Sequence, residues 1–208
     1  MTEPHYPIPA QTTRIENIVV NSRFIATISR ADTVEEAKHF IQTVRDEMPD
    51  ATHHVYAFKV GYGGSITEGM TDDGEPSGTA GPPVLAVLRG ADLGDVVIVV
   101  TRYFGGTKLG TGGLVRAYGG AAKDALAALP VEMKIAKFYI GLTGAYTYYE
   151  RLKHLLADHA GEIDSEEFAA EVTIYAYLPT DQLAALHTAV QNLTAGQITP
   201  IVLGEPEY

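Results

Sequence analysis

Residues 72–83 read DDGEPSGTAGPP and residues 101–120 read TRYFGGTKLGTGGLVRAYGG, and these two motifs are the most informative part of the chain. More than half of the 21 glycines in the chain lie between residues 72 and 122. Glycine allows a positive φ and lets another surface approach the main chain, so this density indicates unusual loops or a contact site. The second motif is also basic. No Asp or Glu occurs from residue 96 to residue 123, where the cations are Arg102, Lys108, Arg116 and Lys123.

The composition excludes several classes of protein. The 208 residues are 46% hydrophobic, enough for a substantial core in one large or two small domains. The net charge of −11 is not the basic footprint of an ordinary nucleic-acid-binding protein, so any contact with phosphate has to be local. Because the chain has no cysteine, disulfides, thiolate zinc sites and cysteine nucleophiles are excluded.

The cellular location is predicted from two further features. No apolar run approaches the roughly 20 residues of a membrane-spanning helix, so no membrane partner is expected. Residues 1–14 have neither the basic start nor the apolar segment of a secretion signal. We therefore expect a cytoplasmic protein.

Periodicity and turn residues predict the elements of a first domain over residues 1–130. Thr33 and Glu36 form a capping-box pattern before an apolar helical repeat that Pro49 ends. The other predicted elements are strands at 54–60 and 95–103, a loop or hairpin at 61–69, and helices at 83–90 and 114–129.

The remaining residues, 131–208, predict a second domain with a recognisable order of elements. Strands are expected at 133–142, 162–167, 170–178 and 198–203, and helices at 146–159 and, capped by Thr180, at 180–193. This order is βαββαβ, the ferredoxin-like pattern.

The glycine-rich basic motif is a candidate anion site. The predicted helix at 114–129 directly follows GTGG, and free N–H groups at a helix N-terminus favour negative charge. In the alternative interpretation these glycines only provide tight turns and close packing. The motif matches neither a P-loop nor a dinucleotide-binding fingerprint. The candidate residues for nucleic-acid or anion binding are Arg102, Tyr103, Gly105, Gly106, Lys108, Gly110, Gly112, Gly113 and Arg116.

The acidic motif offers Asp72, Asp73 and Glu75 as a possible metal site or acid/base group. Their spacing is not that of an EF-hand. In the alternative interpretation, which we favour, the two aspartates brace the turn and Glu75 pairs with a nearby arginine. Ser77 lacks the surroundings of a hydrolase nucleophile, so no catalytic residue is predicted.

Four segments of the sequence resemble those of a known protein family. The chain resembles the IMPACT family, specifically its bacterial YigZ-like members, through NSRFIA, HHVYAF, DDGEPSGTAGPPVL and VVTRYFGGTKLGTGGLVRAYGGAA. The resemblance implies an α+β protein whose N-terminal α/β sandwich domain is similar to the second domain of a small-subunit ribosomal protein. A ferredoxin-like domain follows. The chain departs from the usual family pattern where His54 and Val55 replace Asn-Cys.

Three functional hypotheses remain open from the sequence, the third being that the ferredoxin-like domain is an interaction module whose sheet leaves one face open for dimerisation or a partner. The first is a non-catalytic binding protein linked to translation, whose glycine-rich basic loop contacts RNA, the ribosome or a translation-related protein; the family resemblance implies this role. The second is a metal-assisted enzyme or sensor for a phosphorylated small molecule held between the two motifs. No cofactor is expected, and the oligomeric state stays open.

Overall fold

The computed structural model describes residues 5–204 and residue 206. Two predictions therefore concern residues that lie partly outside this range. They are the absence of a secretion signal in residues 1–14 and the end of the second domain. The chain divides into two compact units, of which the first ends at Met133 and the second begins at Lys134. This division lies three residues beyond the boundary predicted at Pro130.

The first unit is an α/β sandwich. Its elements are β1 His5–Pro9, β2 Thr13–Val19, β3 Ser22–Arg30, α1 Val34–Glu47, β4 His53–Tyr62, β5 Ser65–Thr71, α2 Gly81–Arg89, β6 Val96–Tyr103 and α3 Gly110–Ala127. The next strand, β7 Val131–Ile135, contains the division between the two units. Five strands form an antiparallel sheet in the order β2-β3-β6-β4-β5.

The central strand β6 is covered by helices on both faces of the sheet. Every residue of β6 before Tyr103 is buried, as expected for a strand covered on both sides. Val96, Ile98 and Val100 pack with α2 and α3, whereas Val97 and Val99 pack with α1. The α/β sandwich expected for the first domain is therefore confirmed.

The predicted capping box starts α1, with one difference. Thr33 is the N-cap, and its hydroxyl accepts a hydrogen bond from the Glu36 N–H at 3.1 Å. The Glu36 carboxylate accepts from the Asp32 N–H rather than from the N–H of Thr33. The helix ends at Glu47, before Pro49.

The main differences from the prediction concern β1, β7 and the start of α3. The proline-rich N-terminal segment contains β1, which pairs with β7 in a separate two-stranded sheet. The strand predicted at 133–142 is two strands, because the chain leaves β structure at Ala136. Helix α3 begins at Gly110, four residues before the predicted start, so GTGG forms its first turn.

The second unit has the predicted ferredoxin-like order. Its elements are β8 Lys137–Gly144, α4 Tyr149–Asp158, β9 Glu162–Phe168, β10 Val172–Pro179, α5 Leu183–Thr194 and β11 Ile201–Val202. The sheet order is β11-β8-β10-β9, and α4 and α5 share its core. A 3₁₀ turn at Thr180–Gln182 precedes α5, which has no side-chain cap, so the predicted capping by Thr180 is wrong. None of the helices in the described residues has the length and apolarity needed to cross a membrane.

Candidate functional site

The acidic motif forms a loop that is organised around one carboxylate. Asp72 Oδ1 accepts hydrogen bonds from the N–H groups of Ala80 and Gly81, and its Oδ2 accepts from the N–H of Gly78. Burial raises the pKa of Asp72, but these three backbone donors outweigh it, so the pKa lies below its ordinary value. The side chain thereby closes the loop and caps the start of α2.

The other two carboxylates of the motif have different internal partners. Asp73 pairs with Arg45 and accepts from the His54 N–H at 2.6 Å. Glu75 is buried and accepts from the Arg102 guanidinium. The structural interpretation is thus confirmed for Asp72, which braces the turn, and for Glu75, which pairs with an arginine, whereas Asp73 binds α1 and β4.

The possible metal site is not assembled by this arrangement. Asp72, Asp73 and Glu75 do not converge, since each is bound to a separate internal partner. Within residues 5–204 and residue 206, no group of three or more His, Asp or Glu side chains could hold a metal ion.

Arg102 is the largest correction to the predicted site. Its Nη1 lies 2.5 Å from Glu75 Oε1, and its Nη2 donates to the Ser22 hydroxyl at 3.2 Å. The guanidinium carbon lies over the rings of Phe24 and Phe104, 5.4 Å from each centroid. Only 4% of the residue is exposed, so Arg102 is a buried internal cation and does not project outward from the surface.

Alternation along β6 explains this position. Arg102 follows Ile98 and Val100 at spacing two, which directs its side chain to the same sheet face as α2 and α3. Tyr103 lies on the opposite face, where its hydroxyl donates to Asp50 at 3.0 Å. The pKa of Tyr103 is raised by burial and by this carboxylate. Tyr103 therefore does not share a surface with the glycine-rich loop.

Tyr118 belongs to the site although the sequence analysis did not identify it as a candidate residue. Its side chain is fully buried, and its hydroxyl donates to Glu75 Oε1 at 2.7 Å. Burial and the neighbouring carboxylate raise the pKa of Tyr118, so the hydroxyl stays protonated. The signal that could have identified it is chemical, because a buried tyrosine hydroxyl needs an acceptor.

The glycines of the basic motif fall into two groups. Gly105 packs against the backbone, since an added Cβ would lie 2.1 Å from Asn21. Gly106 and Gly110 have positive φ and open space around them, and Gly112 also has open space. The packing interpretation therefore holds for Gly105, whereas the others leave the main chain accessible.

The start of α3 presents unpaired donors to this open space. Leu109 is the N-cap residue and no side chain caps the helix, whose first residues are Gly110 and Thr111. Gly113 lies in the same turn, with its Cα close to the Leu109 side chain. An uncapped N-terminus of an 18-residue helix carries free N–H groups and a partial positive charge.

A cavity of about 320 Å³ brings the two motifs together. The Phe104 ring, 47% exposed, lies at this cavity. Lys108 is exposed there and forms no ion pair within the described residues. The lining residues are Glu75, Pro76, Arg102, Phe104, Lys108, Leu109, Gly110, Thr111 and Leu114.

Arg116 lies at a different place. Together with Lys123 it lines an open groove of about 710 Å³ between α2 and α3, whose walls include Val87 and Val115. The predicted cation set is therefore divided, with Arg102 buried, Lys108 at the cavity and Arg116 at the groove.

The chain is similar to known proteins over most of its length. Residues 20–126 match the Impact N-terminal domain. The IMPACT family member YigZ of Escherichia coli (strain K12) is 37% identical over 199 residues, covering 95% of this chain and 98% of YigZ. The chain belongs to the IMPACT family.

Other IMPACT relatives extend the similarity over both units. YvyE of Bacillus subtilis (strain 168), an IMPACT family member, is 35% identical over 193 residues, which are 93% of this chain and 88% of YvyE. Residues 142–197 match a domain of unknown function, DUF1949. A crystal structure of a hypothetical protein superposes with a TM-score of 0.73 at 36% identity, covering 98% of this chain and 99% of that one.

Proposed function

We propose that this IMPACT family chain is a non-catalytic, cytoplasmic RNA-binding protein linked to translation. The contact would be made by the loop from Phe104 to Leu109 and by the first turn of α3. The observation that carries the proposal is the juxtaposition at one cavity of an exposed aromatic residue, an uncapped helix N-terminus and a lysine that has no ion pair among the described residues.

The phosphate contact follows from the charge of the loop. Lys108 is exposed beside the N-terminus of α3, so an ammonium and several main-chain N–H groups face the same space. Both groups favour a phosphate oxygen. The open space at Gly106 and Gly112 permits close approach of a backbone.

The base contact follows from Phe104. An exposed aromatic ring next to a phosphate site is the arrangement with which proteins stack single-stranded bases. The Arg102 guanidinium, 5.4 Å from the centroid of this ring, supports its position from the buried side. Single-stranded or looped RNA therefore fits better than a regular duplex.

The proposal is tested by fluorescence anisotropy with a labelled single-stranded RNA in NaCl from about 50 to 200 mM. Lys108→Ala should reduce the slope of log affinity against log salt by about 0.7, because one phosphate contact is lost. Phe104→Ala should weaken binding about 5- to 100-fold at every salt concentration, because the substitution removes base stacking and leaves the charge of the protein unchanged.

Lys38→Ala is the matched control, since Lys38 is an exposed lysine on α1, across the sheet from α3. It removes the same charge from the chain. If Lys108→Ala and Lys38→Ala have equal effects, or if Phe104→Ala binds like the unaltered protein, the loop is not the RNA site. Arg102→Ala is not a suitable probe because it would leave Glu75 buried without its cation.

The cavity volume favours a second candidate, a phosphorylated small molecule bound between the two motifs. About 320 Å³ lies at the lower end of the range for small-ligand pockets. Glu75 and Pro76 form one wall and residues 108–111 another, which is the arrangement this hypothesis requires. Its metal-assisted form has no support from Asp72, Asp73 and Glu75, which are bound internally.

Equilibrium dialysis with a radiolabelled mononucleotide tests the second candidate. Thr111→Trp should abolish retention, because the indole ring would occupy the cavity that Thr111 lines. Val115→Trp is the control, since Val115 is exposed on the same helix but lines the groove between α2 and α3. Equal retention by both variants would exclude this mode of binding.

A further inference from the structure

The second unit has a sheet face that carries three tyrosines. Alternation in β8 and β10 directs Ile140 and Ile174 toward α4 and α5, and it directs Tyr139, Tyr175 and Tyr177 to the opposite face. The ring centroids of Tyr139 and Tyr175 lie 6.0 Å apart, and those of Tyr139 and Tyr177 lie 5.0 Å apart. We refer to these three residues as the tyrosine face.

Carboxylates surround the tyrosine face. The Tyr139 hydroxyl donates to Asp164 at 2.9 Å, and the Tyr175 hydroxyl donates to Glu167 at 3.4 Å. Both acids are exposed on the neighbouring strand β9. Residues 131–208 carry 4 Lys and Arg against 11 Asp and Glu, so the surrounding potential is negative.

Two other places in the chain combine a tyrosine ring with a neighbouring carboxylate, and in both a cation contacts the ring. The Arg23 guanidinium lies 5.2 Å from the centroid of Tyr103, whose hydroxyl is bonded to Asp50. Elsewhere, Lys153 Nζ lies 4.8 Å from the Tyr149 centroid, and the Tyr149 hydroxyl donates to Glu166. In both places a cation covers a tyrosine ring whose hydroxyl contacts a carboxylate.

The tyrosine face has the same ring and carboxylate pairs without the cation. Among residues 5–204 and residue 206, no Lys or Arg lies over the rings of Tyr139, Tyr175 or Tyr177. Lys137 is on the same strand as Tyr139, but its Nζ donates to Glu162 at 2.7 Å.

We propose that the tyrosine face binds an arginine-rich segment of a partner protein. Guanidinium groups would stack on the rings and donate to Asp164 and Glu167, since arginine combines stacking with carboxylate recognition. The same carboxylates repel RNA phosphate, and they also repel a second copy of this acidic chain. A basic peptide is therefore the occupant that the charge favours.

The test is fluorescence anisotropy of the full chain with a labelled oligo-arginine peptide. Tyr139→Leu/Tyr175→Leu leaves the net charge unchanged and should weaken binding about tenfold, because two rings are removed. Tyr139→Phe/Tyr175→Phe keeps the rings and should bind within about threefold of the unaltered chain. Thermal melting of each variant verifies that the sheet is folded.

A charge control separates this site from general attraction to an acidic protein. Glu167→Gln should weaken binding severalfold, whereas Glu35→Gln, an exposed substitution on α1, should leave it unchanged. If the leucine variant binds like the unaltered chain, or if both glutamine variants lose affinity equally, the proposal is wrong. Tighter binding of single-stranded RNA than of the peptide, lost in the leucine variant, would also overturn it.

Discussion

At the scale of single residues, Glu75 joins the two glycine-rich motifs. Its Oε1 accepts from Arg102 Nη1 and from the Tyr118 hydroxyl, and all three side chains are buried. His53 Nε2 also lies 3.7 Å from the same oxygen. The acidic loop, strand β6 and helix α3 are thus fixed to one another by a single carboxylate beneath the cavity.

We expect Arg102→Ala to lower the free energy of unfolding of the first unit by about 3–5 kcal/mol, because it leaves the Glu75 charge buried without its cation. The double variant Arg102→Met/Glu75→Gln should recover part of this loss, because no buried charge remains. Urea unfolding followed by circular dichroism measures both.

Arg116→Ala removes the same side chain from an exposed position and should change the unfolding free energy by less than about 0.5 kcal/mol. Equal losses for Arg102→Ala and Arg116→Ala would mean that the buried pair does not hold the motifs together.

The role of Arg102 was only partly predictable. The sequence predicts that Glu75 pairs with a nearby arginine, and that prediction is confirmed. It also counts Arg102 among the outward cations, which is wrong because strand alternation directs this side chain toward the core with Val100. To distinguish a buried from an outward Arg102, one must know that its partner is Glu75. The sequence does not show this pairing, because the two residues are distant in sequence.

At the scale of elements, the start of α2 depends on Asp72. The helix has no side-chain cap from its own N-cap residue, Ala80, and two prolines follow Gly81. The Asp72 carboxylate supplies acceptors for the N–H groups of Ala80 and Gly81 from outside the helix. One side chain therefore both closes the acidic loop and starts the helix.

Asp72→Asn should lower the free energy of unfolding by about 1–3 kcal/mol at neutral pH, because the charge and one acceptor are lost. The pKa of Asp72 in the folded state lies below its ordinary value of 3.8. Its contribution is therefore complete above pH 3.8 and is lost as the pH falls through the folded-state pKa. The difference between the variant and the unaltered chain should shrink in that acidic range.

Urea unfolding at a series of pH values measures this difference, and Asp46→Asn, on the exposed face of α1, is the control. A difference that stays constant as the solution is acidified below the ordinary aspartate pKa would contradict the assigned role of Asp72.

The elements differ in how well local signals predict them. Thr33 and Glu36 predict the start of α1 correctly because the cap is a contact within a few residues. The start of α3 was misplaced because GTGG has low helix propensity, and only the tertiary structure extends the helix back to Gly110. The division of the strand at Ala136 has no proline or glycine to signal it.

At the scale of the whole molecule, the two units have separate hydrophobic cores. The βαββαβ order of the second unit was predictable because the apolar residues of each element recur with the spacing of a helix or of a strand. The pairing of β1 with β7 was not, because it joins segments more than a hundred residues apart. All of β7 follows the predicted boundary at Pro130, and its residues 131–133 belong to the first unit.

We therefore expect a fragment of residues 1–135 to melt several degrees above a fragment of residues 1–130, because only the longer one retains the partner of β1. Circular dichroism of both fragments during heating measures the difference. A fragment of residues 1–136 controls for chain length and should melt together with residues 1–135. If residues 1–130 melt at the same temperature as the longer fragments, β7 does not stabilise the first unit, and the domain ends at Pro130 as the sequence alone indicates.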